Sequence, residues 1–239
     1  MAWIPSIREW LQKPEVHIVS GELLEVSYME FGNVLNVWCA FASFDKAALF
    51  ESFALHLIHE DGTKTEFNFA GLSESTSAQS SSGERVLWGK QTNVHVLAVA
   101  QDSAVERLAM FRDRAQSDKV RALYERIVPL LERLKNTEGP DWRNTMRKTA
   151  EFDEYRRTVQ EGQIWKRGRY AVTMTAKVKQ LDKPAEHHFT FELSDADIRV
   201  IRSNLEPIDK FVSSVLAQDE PPFPRPIFAF SNPPRRVKA

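Results

Sequence analysis

Apolar residues alternate most regularly over Val34–Phe69, which predicts the centre of an antiparallel sheet. Along residues 35–44 both alternating sets are largely apolar, a pattern typical of a strand that is covered on both sides. The alternation continues through residues 53–58. Asp61-Gly62 then predicts a hairpin, because the tight turns that match strand twist need positive φ. We therefore expect a central strand and an adjoining hairpin to form the core of the fold.

Shorter alternating runs predict further strands on both sides of this centre. They are expected near residues 16–19, 22–28, 94–99, 164–181 and 188–193. The first two are separated by Ser20-Gly21, which we interpret as a break between strands.

Between these strands, apolar residues show no regular spacing from Gly71 to Gly83. Six of the ten residues from Ser73 to Ser82 are serine, so the segment has little apolar area to offset its ordering entropy. The composition predicts a mobile loop, with a flap over a site as the alternative.

The period changes from two to nearly four after residue 102, which predicts a helical insert over residues 103–161. Ser103 is expected to cap the first helix, Ser117 or Asp118 to open the second, and Asp141 to cap the third. Pro129 falls inside the second helix and predicts a kink there.

A closing helix and a proline-rich tail complete the predicted fold. Ser194 is expected to cap the helix, with Asp197 in place of the usual Glu of a capping box. We predict one domain over residues 1–220, interrupted by the helical insert, and an extended tail over residues 221–239. The fold class is α+β: an antiparallel β-sandwich with a helical insertion and a C-terminal helix. In outline this strand-and-hairpin pattern resembles immunoglobulin-like sandwiches, and the resemblance concerns the fold alone.

Composition narrows the classes of function. The 239 residues include 32 basic and 33 acidic side chains, which excludes a globally charged surface for nucleic acid. The single cysteine, Cys39, excludes an internal disulfide framework, and no apolar run approaches the ~20 residues of a membrane helix. The amino terminus lacks the basic segment followed by an apolar run that marks a signal peptide. We therefore expect a soluble, cytoplasmic protein without membrane contact.

No pattern in the sequence predicts a metal, a cofactor or a catalytic residue. The nine glycines form no phosphate-binding loop. His56 and His59 are three apart in a predicted strand and point to opposite faces, and the adjacent His187 and His188 have the same difficulty. We interpret these histidines as structural or as turn residues, with a site in which His56 or His59 joins distant metal ligands as the alternative.

Basic and aromatic residues are interleaved between Trp142 and Tyr170, where the local net charge is +4. Cations there can neutralise phosphates while aromatic rings stack on bases, although the aromatic residues also fit the apolar stripe of a helix. The residues predicted for such a binding face are Trp142, Arg143, Arg147, Lys148, Arg156, Arg157, Trp165, Lys166, Arg167 and Arg169.

The tail carries three phenylalanines, Phe223, Phe228 and Phe230, on a backbone made rigid by prolines. Exposed rings are unfavourable in water, so we expect the tail to dock either on its own domain, which we favour, or on a partner.

The leading hypothesis is a non-catalytic binding or accessory subunit that engages a protein partner or forms a homo-oligomer. The alternative is a nucleic-acid-associated protein that uses residues 142–170, and an enzyme with a site assembled from distant residues comes third.

Overall fold

The computed structural model describes residues 12–29, 32–79, 85–92, 96–205 and 227–232. Among these residues, ten strands form one sheet in which every pairing is antiparallel. They are β1 (Glu15–Met29), β2 (Gly32–Phe44), β3 (Ala48–His59), β4 (Lys64–Gln79), β5 (Arg85–Thr92), β6 (Leu97–Val99), β7 (Ser103–Arg112), β8 (Gly168–Val178), β9 (Ala185–Leu193) and β10 (Ile227–Asn232).

The sheet curls back on itself until it is nearly barrel-shaped. Its strand order is β5-β4-β7-β2-β1-β10-β9-β8-β3-β6, and β3 also pairs with β4, so the pairings run in a ring. The α+β class and the antiparallel sheet are therefore confirmed. The immunoglobulin-like sandwich is not confirmed, because the strands join one continuous sheet.

The core lies on the inner face of this curved sheet. On β2 the inward residues Val37, Cys39 and Phe41 are buried, in step with the period of a strand. The Phe41 ring packs edge-on against Phe50 and Phe53 of β3, with centroid distances of 5.4 and 5.3 Å. Each buried ring contributes about 2 kcal/mol through the apolar area it removes from water.

The outer face of β2 differs from the prediction of a strand covered on both sides. Trp38, Ala40 and Ala42 are only partly buried, and Phe44 is 44% exposed. The alternating pattern shows that both faces of β2 are apolar. It does not show whether a second layer of structure covers the outer face.

In the described parts of the chain, four helices and one short 3-10 turn accompany the sheet. They are α1 (Arg114–Glu138), the 3-10 turn (Gly139–Asp141), α2 (Trp142–Met146), α3 (Ala150–Glu161) and α4 (Asp195–Ser203). The helix α1 runs through Pro129 and packs on α2 and α3. The predicted third helix is divided into α2 and α3. Thr149 caps α3, because its side chain accepts from the Phe152 N–H, whereas Asp141 precedes α2 and makes no side-chain capping bond.

The helical insert begins about ten residues later than predicted, since residues 103–112 form strand β7. Val105, Leu108 and Ala109 have the i, i+3, i+4 spacing of a helix, whereas Val105, Ala109 and Phe111 are separated by even numbers of residues, as on one face of a strand. In the fold, β7 pairs with β2 at ten positions, from Ser103–Ser43 to Arg112–Val34. That ladder satisfies the backbone of both strands and outweighs the local period.

Two predicted breaks are also strand in the structure. Ser20-Gly21 does not separate two strands, because β1 continues through it with a bulge between Ser20 and Leu24. The serine-rich segment is not a loop through Gln79: β4 extends to that residue and pairs with β5. Backbone pairing needs no apolar side chain, which composition alone does not reveal.

The closing helix and part of the tail join the main body. The capping box of α4 is confirmed, with Ser194 and Asp197 each accepting from the other's backbone N–H. In the tail, Ile227–Asn232 forms β10, which pairs with β1 on one side and β9 on the other. These six residues are a strand within the sheet rather than a separate extended tail. The other predicted residues of the helix stripe and tail, from 206 to 226 and from 233 to 239, lie outside the described residues.

Within the described parts of the chain, no helix has both the length and the apolar character needed to cross a membrane.

Candidate binding surfaces

The aromatic residues of the predicted nucleic-acid segment lie in the core. Trp142, Tyr155, Trp165 and Tyr170 are all buried, and the Trp165 indole N–H donates to the Ser27 carbonyl at 2.9 Å. Rings held in this way have no free face on which a base could stack. The aromatic residues of the predicted segment therefore stabilise the core.

The basic residues of the same segment divide into two groups. Arg143, Arg147, Lys148, Arg156 and Arg157 lie on or directly after the helices α2 and α3. The Arg143 and Arg156 guanidinium carbons each lie 5.1 Å from a neighbouring aromatic centroid, that of Trp142 and that of Phe152.

The second basic group, Lys166, Arg167 and Arg169, lies beside the hairpin turn between β3 and β4. Lys166 Nζ lies 2.8 Å from Asp61 Oδ2, and Arg167 Nη1 lies 3.2 Å from Asp195 Oδ2. Lys166 and Arg167 of the predicted binding face are thus each paired with a carboxylate.

This hairpin turn is clamped by His59 and its neighbours. His59 Nε2 donates to the Arg167 carbonyl at 3.0 Å, and His59 Nδ1 lies 2.9 Å from Asp61 Oδ1. Hydrogen bonds from Lys166 and Thr63, with a further one from His59, lower the pKa of the Asp61 carboxyl. The contacts of His59 hold the turn together, so both ring nitrogens are already engaged.

His56 and His59 do not share a face of β3. His56 is exposed while His59 is buried, which places them on opposite faces of β3. Among the described residues, no group of three or more His, Cys, Asp or Glu side chains could hold a metal ion.

His187 makes a contact that the sequence does not reveal. Its Nε2 lies 2.8 Å from Ser20 Oγ and also accepts from the Ser20 backbone N–H at 3.1 Å. Burial, with a smaller effect of His188, lowers the pKa of His187, which favours the neutral ring that accepts both bonds. The pair joins the bulge of β1 to β9, a contact between residues 167 positions apart.

A cleft of about 490 Å³ lies beside this bulge on the outer face of the sheet. Its apolar lining comes from Val19, Trp38 and Ala40, and its acidic lining from Glu22 and Glu106. Val19 faces Ala40 and Ala40 faces Glu106 in the ladders, which places the three on one face of the sheet. Cys39 also contributes to the lining, but its side chain is buried, and burial raises the pKa of its thiol.

The bulge gives the cleft its shape. It brings Gly21 so close to β2 that a side-chain carbon added there would lie 3.1 Å from Trp38 Cβ. A glycine at this position therefore allows β1 to approach the tryptophan.

A second cleft, of about 540 Å³, lies between β4, the end of β7 and the start of α1. Among the described residues, three arginines line it, Arg112, Arg114 and Arg121, together with Asn68, Ser117 and one acid, Asp118. Its net charge of lining side chains is therefore positive.

The phenylalanines of the tail fall partly within the sheet. Phe228 and Phe230 belong to β10, opposite Glu25 and Leu23 of β1, while Phe223 lies outside the described residues.

Neither cleft could be found from the sequence alone, because each is assembled from three strands or from strands and a helix. One signal was available: Arg112, Arg114 and Arg121 lie close together in the chain, on both sides of the N-cap Asp113. These arginines can be recognised as one cluster only when the helix is known to begin at Arg114, because the predicted start at Ser117 leaves Arg114 outside the helix.

Comparisons with known proteins give weak structural similarities. No protein family and no curated protein matches the sequence. A family 123 glycoside hydrolase from Clostridium perfringens, described for glycolipid glycan hydrolysis, shares 10% identity over 76% of this chain and 27% of its own, with a TM-score of 0.36. Spo0M, a sporulation control protein from Bacillus subtilis, shares 7% identity over 80% of this chain and 56% of its own, with a TM-score of 0.26. The chain thus spans less than two thirds of either protein, and similarities at this level carry no argument about its function.

Proposed function

We propose that this protein is a non-catalytic binding subunit that contacts a protein partner through the outer face of β1, β2 and β7. The observation that supports the proposal is that β2 is apolar on both faces and only its inner face is buried. Phe44 is 44% exposed and Val19, on the neighbouring strand, is 55% exposed. Large apolar side chains grouped on one sheet face are typical of contact surfaces.

The ladder pairings support a continuous surface rather than scattered side chains. Trp38 is opposite Leu108, Ala42 is opposite Ala104, and Phe44 is opposite Glu15. Since directly opposed residues share a face, an apolar strip follows β2 from Trp38 to Phe44. The cleft at Trp38 offers a pocket of the kind in which an anchoring side chain of a partner is buried.

The charges around this strip indicate the chemistry of the partner. Glu22 and Glu106 line the cleft, and no basic side chain does so among its described lining residues. A second copy of this chain would bring the same carboxylates against one another, which is unfavourable. We therefore propose a partner segment that presents apolar side chains flanked by Lys or Arg.

The buried thiol of Cys39 is compatible with a reducing compartment, and we propose the cytoplasm as the location.

Selection of peptides from a random display library tests this function. We expect enriched sequences to carry an aromatic or aliphatic residue between basic residues. Their retention should be lost on the variant Val19→Lys, which places a cation on the strip and removes apolar area. Ile58→Lys is the matched control, because Ile58 is also an exposed apolar strand residue, 42% exposed, on the distant strand β3. No enrichment, or equal retention on wild type and Val19→Lys, would contradict the proposal.

A further inference from the structure

We propose that the second cleft, here called the arginine cleft, is a binding site for a small phosphate-bearing anion. It is defined by Asn68 of β4, Arg112 at the end of β7, and Arg114, Ser117 and Arg121 of α1. This inference is independent of the protein-binding strip.

The spacing along α1 places the residues that line the arginine cleft on one side of the helix. Residues 114, 117, 118 and 121 are separated by three or four positions, so they form one stripe. Other positions of the helix turn the opposite way: Gln116, Val120 and Leu123 are buried against the protein. The helix therefore presents its polar stripe to the cleft and its apolar stripe to the core.

The strands complete the cleft from the other side. Asn68 and Arg112 are directly opposed in the β4–β7 ladder, and both are exposed. The register shift between Phe69 and Gly71 follows at once, so β4 bends beside these two side chains. An amide donor and a guanidinium from the sheet thus face the arginines of α1 across the cleft.

The cleft has more positive than negative charge close by. Arg114 pairs with Asp118 at 3.6 Å, a long contact between two exposed groups that contributes little. Within the described parts of the chain, neither Arg112 nor Arg121 makes an ion pair. The neighbouring acid, Asp113, is buried and turned inward, where its carboxylate accepts from the Gln116 N–H and the Asn33 amide at 3.1 Å each.

An oxyanion explains this arrangement. Three guanidinium groups around one cleft repel each other unless an anion lies between them, and guanidinium matches phosphate through paired N–H donors. The Asp113 carboxylate caps the start of α1 and offsets the positive end of the helix, so the attraction for an anion comes from the three guanidinium groups. A volume of about 540 Å³ is within the range of small-molecule sites and exceeds that of a single solvent molecule.

The arginine cleft is separate from the protein-binding strip, although β7 contributes to both. Glu106 lines the cleft of the strip and Arg112 lines the arginine cleft. Six residues of strand span about 20 Å, so a variant in one site leaves the other intact.

Calorimetric titration with pyrophosphate tests the proposal on the full-length protein. We expect saturable binding that weakens with added salt and a rise in melting temperature at saturating ligand. The variant Arg121→Glu should weaken the affinity at least tenfold. Arg133→Glu, an equal charge change on an exposed residue of the same helix about 18 Å away, should leave it unchanged.

Several outcomes would overturn the proposal. They are an absence of saturable binding up to about 10 mM pyrophosphate, an equal loss of affinity in Arg121→Glu and Arg133→Glu, or tighter binding of citrate than of pyrophosphate. The last would assign the cleft to carboxylates. A melting curve of Arg121→Glu without ligand verifies folding, and if that variant is unfolded, Arg112→Gln provides the same comparison.

Discussion

At the scale of single residues, Tyr170 shows how a buried polar group ties a loop to the sheet. Its hydroxyl accepts from the Lys166 N–H at 2.7 Å and donates to the Lys166 carbonyl at 2.9 Å. Its ring stacks on Phe191 with a centroid distance of 4.9 Å. Burial raises the pKa of Tyr170 to about 12. The neutral phenol is therefore part of the folded state.

Replacement of Tyr170 by Phe should lower the free energy of unfolding by about 1–3 kcal/mol at pH 7, because both backbone groups of Lys166 lose their partner. The raised pKa also predicts the pH dependence. Wild-type stability from this group is complete below pH 10, where the unfolded phenol ionises, and is lost as the pH rises towards 12.

Denaturant melts at pH 7 and in steps from pH 9 to about 11.5 measure both effects. The difference between wild type and Tyr170→Phe should narrow across the alkaline steps. Tyr28, whose pKa burial also raises, is present in both proteins and cancels from the comparison. A difference that stays constant with pH would contradict this account of Tyr170.

At the scale of elements, β10 is the strand that joins β1 to β9. Its backbone pairs with β1 from Leu23 to Val26 and with β9 at Thr190 and Phe191. Without it, β1 and β9 would each present unpaired backbone along that length.

Truncation after Pro226 should therefore lower the free energy of unfolding by several kcal/mol, since a whole row of ladder bonds and its packing are lost. Truncation after Asn232, which keeps β10, is the matched control and should change stability little. Melts of both chains beside size-exclusion profiles give the answer. If the shorter chain kept its stability and only lost an assembly, the tail would dock on a partner instead.

The elements also show what the sequence predicts well. Strands with buried, alternating residues such as Phe41 and helix signals such as the Ser194–Asp197 box were found because they depend on nearby residues. The strand β7 was missed because its spacing fits two periods, and pairing with β2 decided between them. The continuation of β4 through its serines was missed for the same reason, since the ladder with β5 depends on residues beyond the local window.

At the scale of the whole molecule, the net charge is only −1, although the surface carries two clefts of opposite charge. Glu22 and Glu106 lie beside the apolar strip, while Arg112 and Arg121 lie in the arginine cleft. Composition could not separate them, because each cleft is built from different elements of the folded chain. The predicted basic segment illustrates the opposite case: its residues are close in sequence, but the fold buries Trp165 and pairs Lys166 with Asp61.

The affinity of an enriched peptide for wild type and for Val19→Lys tests the central claim, that the outer strip of β1, β2 and β7 is a protein-binding surface. Val19 is 55% exposed, so burial of its remaining surface is worth about 0.8 kcal/mol. The cation of Val19→Lys also repels the basic side chains proposed for the partner, and the two effects together correspond to about tenfold in Kd. Calorimetry should therefore show at least tenfold weaker binding to Val19→Lys and an unchanged Kd for Ile58→Lys. Equal affinity for all three proteins would contradict the assignment of the strip as the binding surface.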